Sequence, residues 1–181
     1  MQQVSWFASI LLIMAAAPLS MVRADEETVC IRGFPMDVFC INRGTLLDRP
    51  SLRTLSNPHQ HSIHCLVDVG RCVNSGYELL TLPIVNGDYT RAFSIDNNGK
   101  DMLLTEARRV GSCSTCTGEG NQFVGFEATF VGTIDPMSSS NPPKLLVTGV
   151  HPSQTCESLG LTEFSLQDPA PTPMPTPPPT P

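Results

Sequence analysis

Residues 79–95 read LLTLPIVNGDYTRAFSI. Two runs rich in aliphatic, β-branched and aromatic residues flank Asn86-Gly87, a dipeptide that accepts positive φ at both positions and so favours the two-residue turn of a β-hairpin. Phe123–Ile134 (FVGFEATFVGTI) repeats this chemistry, and Lys144–Val150 (KLLVTGV) follows a Pro-Pro turn, so these two segments predict a second strand pair. Gly125 and Gly132 interrupt the first of them, where glycine weakens a strand unless a bulge or a tightly bent barrel wall requires it. Ordinary sandwich edges fit the same glycines. Asn98-Gly99, after Asp96, reads as a further β connection. No fixed period recurs across residues 28–166, which leaves one compact, mainly β unit rather than a solenoid or propeller.

The ends of the chain differ from this middle. Trp6–Pro18 (WFASILLIMAAAP) is an uncharged apolar run too short to span a bilayer comfortably, and Val22-Arg23-Ala24 precedes an acidic Asp25-Glu26-Glu27. Residues 1–24 are therefore expected to be a signal peptide, with a β-rich domain over residues 25–167 and a secreted, extracellular destination. Residues 168–181 (DPAPTPMPTPPPTP) hold eight Pro and three Thr, a composition that favours extended polyproline and cannot bury a core. They predict a disordered tail or linker. No Asn-x-Ser/Thr acceptor for N-linked glycan occurs.

Charge narrows the partners. The 181 residues carry a formal net charge of −6, with only 15% charged residues and no run of Lys or Arg, which argues against a phosphate-gripping nucleic-acid surface. No second apolar run follows the signal, so no membrane span is expected in the mature chain. The partners left open are an extracellular protein, a glycan or a metal.

One segment departs from the β pattern. Asn57-Pro58 reads as an N-cap with Pro at the first helical position, and His59–Asp68 continues without Gly or Pro, predicting a short helix of about three turns. On a helical wheel Ile63, Leu66 and Val67 share one face, while His61, His64, Cys65 and Asp68 share the other. Imidazole and thiolate at i, i+3 and i+4 are ligand types for Zn or Cu. His61, His64 and Cys65 are the candidate ligands, Asp68 the group orienting an imidazole, and His59 and His151 weaker candidates. Copper, zinc or haem are the cofactors such a face would take. A solvated polar face with Cys65 in a disulfide fits the same residues.

Seven cysteines follow the signal, so at most three bridges form in an oxidising compartment and one thiol is left over. An unbroken helix from Cys65 to Cys72 would separate them by roughly 10 Å, beyond disulfide reach. The expected pairing is Cys30–Cys156, Cys40–Cys72 and Cys113–Cys116, with Cys65 free beside His61 and His64. Cys113-Ser-Thr-Cys116 also has the C-x-x-C form of a thiol–disulfide oxidoreductase, although no βαβ pattern surrounds it. Thr117 stands where attachment of a c-type haem would require His. No other catalytic signature is present.

The string His64-Cys65-x6-Cys72-x2-Ser75-Gly76-Tyr77, with Tyr89–Asp96, Gly99 and Gly132-Thr133, resembles a class of small secreted bacterial-type proteins of no settled activity. Asp37-Val38-Phe39-Cys40 matches the early Asp-x-x-Cys of that class. The likeness runs from about Ile31 to Val150, leaving out His59–His61, the Cys113/Cys116 loop and the Pro/Thr tail. It implies an OB-like antiparallel β-barrel with one helix across its wall, and links His64, Cys40, Cys65 and Cys72 in one constellation. It implies no substrate. The expected function is a disulfide-stapled extracellular binding module with a His/Cys metal site. The alternatives are a thiol–disulfide oxidoreductase using Cys113 and Cys116, and a structural matrix or stalk protein.

Overall fold

The computed structural model describes residues 27–111 and 125–166. The expected signal peptide, the Pro/Thr tail, Cys113 and Cys116 lie outside the described residues.

Among the described residues five strands form one sheet: β1 (Thr28–Asp37), β2 (Tyr77–Val85), β3 (Asp88–Ile95), β4 (Ala128–Ile134) and β5 (Lys144–His151). β1 pairs antiparallel with both β2 and β4, and β4 with β5. The hydrogen-bonded order runs β1-β2-β3-β5-β4 and returns to β1, so the sheet closes on itself. The Asn86-Gly87 turn joins β2 to β3 with φ of 54° and 85°, as expected for a two-residue hairpin. The ladder between β4 and β5 shifts register between Val131 and Gly132. A Cβ on Gly132 would stand 2.3 Å from the Leu146 carbonyl oxygen, so glycine permits the bulge that bends this wall.

Two expectations need correction. The sheet is not wholly antiparallel, because Ser94 and Ile95 of β3 pair in parallel with Lys144 and Leu145 of β5. The chain is also mixed α/β rather than mainly β with one helix. Its helices are α1 (Val38–Arg43), α2 (Ile63–Asp68), α3 (Gly70–Asn74) and α4 (Asn97–Gly111), with short 3-10 turns at Pro58–Gln60 and Glu157–Leu159. Asn98-Gly99 lies inside α4 and makes no β turn. Asp96 starts that helix, its Oδ1 accepting the N–H of Gly99 at 3.0 Å and of Val147 at 3.1 Å. Gly99 is needed for close packing, since a Cβ there would lie 2.6 Å from the Val147 side chain.

The core divides in two. Inside the ring, Val29, Ile31, Leu79, Phe93, Phe130, Leu145 and Val147 pack against Leu66 and Val67 of α2 and Leu103 and Ala107 of α4. A second cluster of Met36, Cys40, Ile41, Leu46, Cys65, Cys72 and Leu80 fills the space between the helices at the end of β1. Cys30 and Cys156 form the expected disulfide, tying β1 to the segment after β5 across 126 residues. Among the described residues, no helix is long and apolar enough to cross a membrane.

Candidate metal centre

Three short helices each deliver a cysteine at the third residue after their N-cap. In α1 the cap is Asp37, whose Oδ1 accepts the Cys40 N–H at 2.8 Å. In α2 it is Ser62, whose Oγ accepts the Cys65 N–H at 3.0 Å. In α3 Val69 holds the position, with the Cys72 N–H donating to the Val69 carbonyl at 2.9 Å. Further bonds knit the turns together. Ser75 Oγ donates to the Cys72 carbonyl and accepts the Phe39 N–H, and Thr54 Oγ1 donates to the Cys40 carbonyl.

The predicted helix over residues 59–68 is broken. Pro58–Gln60 form a 3-10 turn, His61 leaves it in extended backbone, and Ser62 caps a fresh helix. The wheel drawn from His59 therefore misplaces its members. Cys65 turns inward with Ile63 and Leu66, and His61 sits off the helix and is buried. His64 is displaced from the site: its ring is 39% exposed, and its Nδ1 lies 3.1 Å from Asp68 Oδ2 on the outer face. Asp68 accordingly orients no buried imidazole. His59 lies at the surface, its ring edge-on to Phe34 at 6.5 Å. His151 ends β5 and lines a shallow groove with Asp101, Thr105 and Glu106.

What does meet is a different set. Cys40, Cys65, Cys72 and His61 are all between 0% and 3% exposed. Cys65 Sγ and Cys72 Sγ are 3.6 Å apart, the Cys40 sulfur lies within 4.8 Å of the Cys72 sulfur, and a ring nitrogen of His61 within 4.8 Å of the Cys65 sulfur. Asp37, Cys40 and Cys72 offer ligand atoms within 4.8 Å of one another, as do Asp48, His61 and Cys65. The expected Cys40–Cys72 bridge is not formed; Cys40, Cys65 and Cys72 are free thiols. The kink at Val69, extended at φ −81° and ψ 107°, folds α3 back on α2. A straight helix would have held the two cysteines apart.

Polar satisfaction is incomplete here and points inward. His61 Nε2 lies 3.1 Å from Asp37 Oδ2, but the two are not aligned as a hydrogen bond. Neither ring nitrogen of His61, nor Asp37 Oδ2, nor Asp48 Oδ1 has a hydrogen-bond partner, although all four atoms are buried. Orphaned buried polar atoms cost about 1–3 kcal/mol each unless something binds them. The electrostatics agree. The thiols of Cys65 and Cys72 donate toward Cys40 and hold its thiol well below the usual range, helped by His61 against the cost of burial. Cys72 and Cys65 are pushed up, each chiefly by Cys40. Burial alone would pull His61 down, yet Asp37, Cys40 and Cys65 together hold it well above its ordinary value.

Asp37, Cys40 and Cys72 were not among the metal ligands expected from sequence. The signal that marks Asp37 and Cys40 is the spacing of a capping side chain and a cysteine, Asp37-x-x-Cys40, which Ser62-x-x-Cys65 repeats on a separate short helix; Cys72, behind Val69, has no such mark. No family model, curated protein or solved structure matches the chain.

Proposed function

We propose that the chain is a secreted, disulfide-stapled extracellular module with an OB-like barrel, whose working centre holds zinc through Cys40, Cys65, Cys72 and His61. The observation that carries this reading is a buried run of neighbours, Cys40 beside Cys72, Cys72 beside Cys65 and Cys65 beside His61, whose ring nitrogens have no hydrogen-bond partner. Zinc prefers four tetrahedral ligands, with Zn–S bonds of about 2.3 Å that place sulfurs about 3.8 Å apart. The 3.6 Å between Cys65 and Cys72 suits that spacing, while a covalent bridge needs about 2.05 Å. Asp37 Oδ2, 3.1 Å from His61 Nε2, is placed to accept its N–H and fix the ring once the imidazole turns onto an ion. With Asp37 at Nε2, Nδ1 is the nitrogen left for the ion.

Three thiolates and one imidazole favour zinc over the harder ions that want oxygen ligands. The centre is closed. With every ligand at 3% exposure or less, no position stays open for substrate, as a hydrolytic zinc would require. The ion therefore serves to hold the module together, pinning α1, α2 and α3 to the end of β1. Recognition of partners falls to the outer surface.

Elemental analysis of protein secreted by a eukaryotic host tests this reading. About one zinc per chain is expected in the wild type and in His64→Ala, and under a tenth of that in His61→Ala and Cys65→Ser. Equal zinc content in all four proteins would overturn the assignment.

A further inference from the structure

Two sulfurs of the cluster are joined by a hinge of one residue. Cys65 on α2 and Cys72 on α3 lie 3.6 Å apart, and Val69 alone separates their helices. Closing to the ~2.05 Å of a disulfide moves each sulfur by less than about 1 Å. Cys40, by contrast, sits on α1, which no single-residue hinge joins to α2 or α3. The chain already contains Cys30–Cys156, so its cysteines suit a compartment where thiols oxidise. Exposure of 2% or less bars a protein disulfide from reaching Cys65 or Cys72 and leaves small oxidants as the reagents that can.

We propose that Cys65 and Cys72 form an oxidative release site, at which a hydroperoxide converts the metal-bound dithiolate to a disulfide and expels the zinc. This rests on the zinc reading given above. One thiolate attacks the terminal peroxide oxygen, forming an S–O bond and breaking the O–O bond, and the displaced oxygen leaves as hydroxide or alkoxide. The second thiolate then attacks the sulfenic sulfur, forming the S–S bond and expelling hydroxide. Two thiolates lose two electrons, and the peroxide gains them. With hydrogen peroxide, two protons from solvent complete two waters. Only Cys40 and His61 then remain as ligands from the original four, too few to hold a structural zinc. Reduction by a small thiol restores the pair and the site.

The test uses the zinc-loaded wild-type protein, titrated with hydrogen peroxide. Released zinc is followed with a chromogenic chelator and disulfides are mapped by peptide mass spectrometry. One equivalent of zinc should appear in step with a Cys65–Cys72 bridge, and dithiothreitol followed by zinc should reverse both changes. Zinc retained through complete oxidation of that pair would overturn the proposal, as would release accompanied by a bridge to Cys40 or by sulfinic acid. Protein that carries no zinc before peroxide is added would instead overturn the centre itself, and the release site with it.

Discussion

Asp37 has a separate task for each of its oxygens. Oδ1 caps α1 by accepting the Cys40 N–H, and Oδ2 lies beside the His61 ring. Asp37→Asn separates the two, because Asn caps a helix about as well as Asp while losing the charge next to the imidazole. Zinc affinity should fall roughly 10–100-fold, as for other carboxylates that orient a ligating histidine, while the helix survives. Competition with a chelator of known affinity measures this, and unchanged affinity would remove Asp37 from the site. His64 provides the contrasting case. Its pairing with Asp68 is solvent-facing, so His64→Ala should change stability by no more than about 0.5 kcal/mol in denaturant titration and leave zinc content alone. A loss of metal there would favour the helix-face site expected from sequence. The residue types of the centre were legible in the chain, for His61 and Cys65 were marked as ligands from their chemistry. Their partners Cys40 and Cys72 were tied to Cys65 only through the resemblance, which set His64 beside them in place of His61, because they reach the site from separate helices and spacing within one segment says nothing of that convergence.

At the level of elements, caps decide what the hydrophobic periodicity leaves open. A wheel drawn from His59 to Asp68 presumes one continuous helix, but Ser62 ends that presumption by accepting the Cys65 N–H and starting a new one. His61 drops out of the helix and parts company with His64, while Cys65 keeps its place on the wheel but meets the second buried cluster. The same oversight hid α4: Asn98-Gly99 has the form of a hairpin turn, yet Asp96 caps a helix and Gly99 serves its packing on β5. The hairpin at Asn86-Gly87 and the β4–β5 pair were legible because a local turn and two adjacent strands determine them. The parallel contact of β3 with β5 depends on α4 crossing between distant strands, which no local pattern encodes. Gly99→Ala should destabilise the protein by about 1–3 kcal/mol, since its Cβ would overlap Val147 at 2.6 Å. Val147→Ala in the same chain should recover part of that loss, and strictly additive effects would argue against the contact.

Across the whole molecule, the disulfide stands near the start of β1 and the thiol cluster near its end. Cys30–Cys156 joins residues 126 apart. By chain entropy, its removal in Cys30→Ser/Cys156→Ser should cost about 4–5 kcal/mol, seen as a Tm lower by roughly 10–15 °C. The proposed zinc gathers the helices at the other end, so removing it should lower Tm separately and leave the disulfide intact. The two losses are expected to add approximately, because the sites share no residue. Zinc K-edge X-ray absorption on the purified protein reads the ligands themselves. One zinc per chain is expected, with three sulfur neighbours at about 2.3 Å and one nitrogen at about 2.0–2.1 Å. A first shell of oxygen and nitrogen alone, or a protein without zinc, would contradict it.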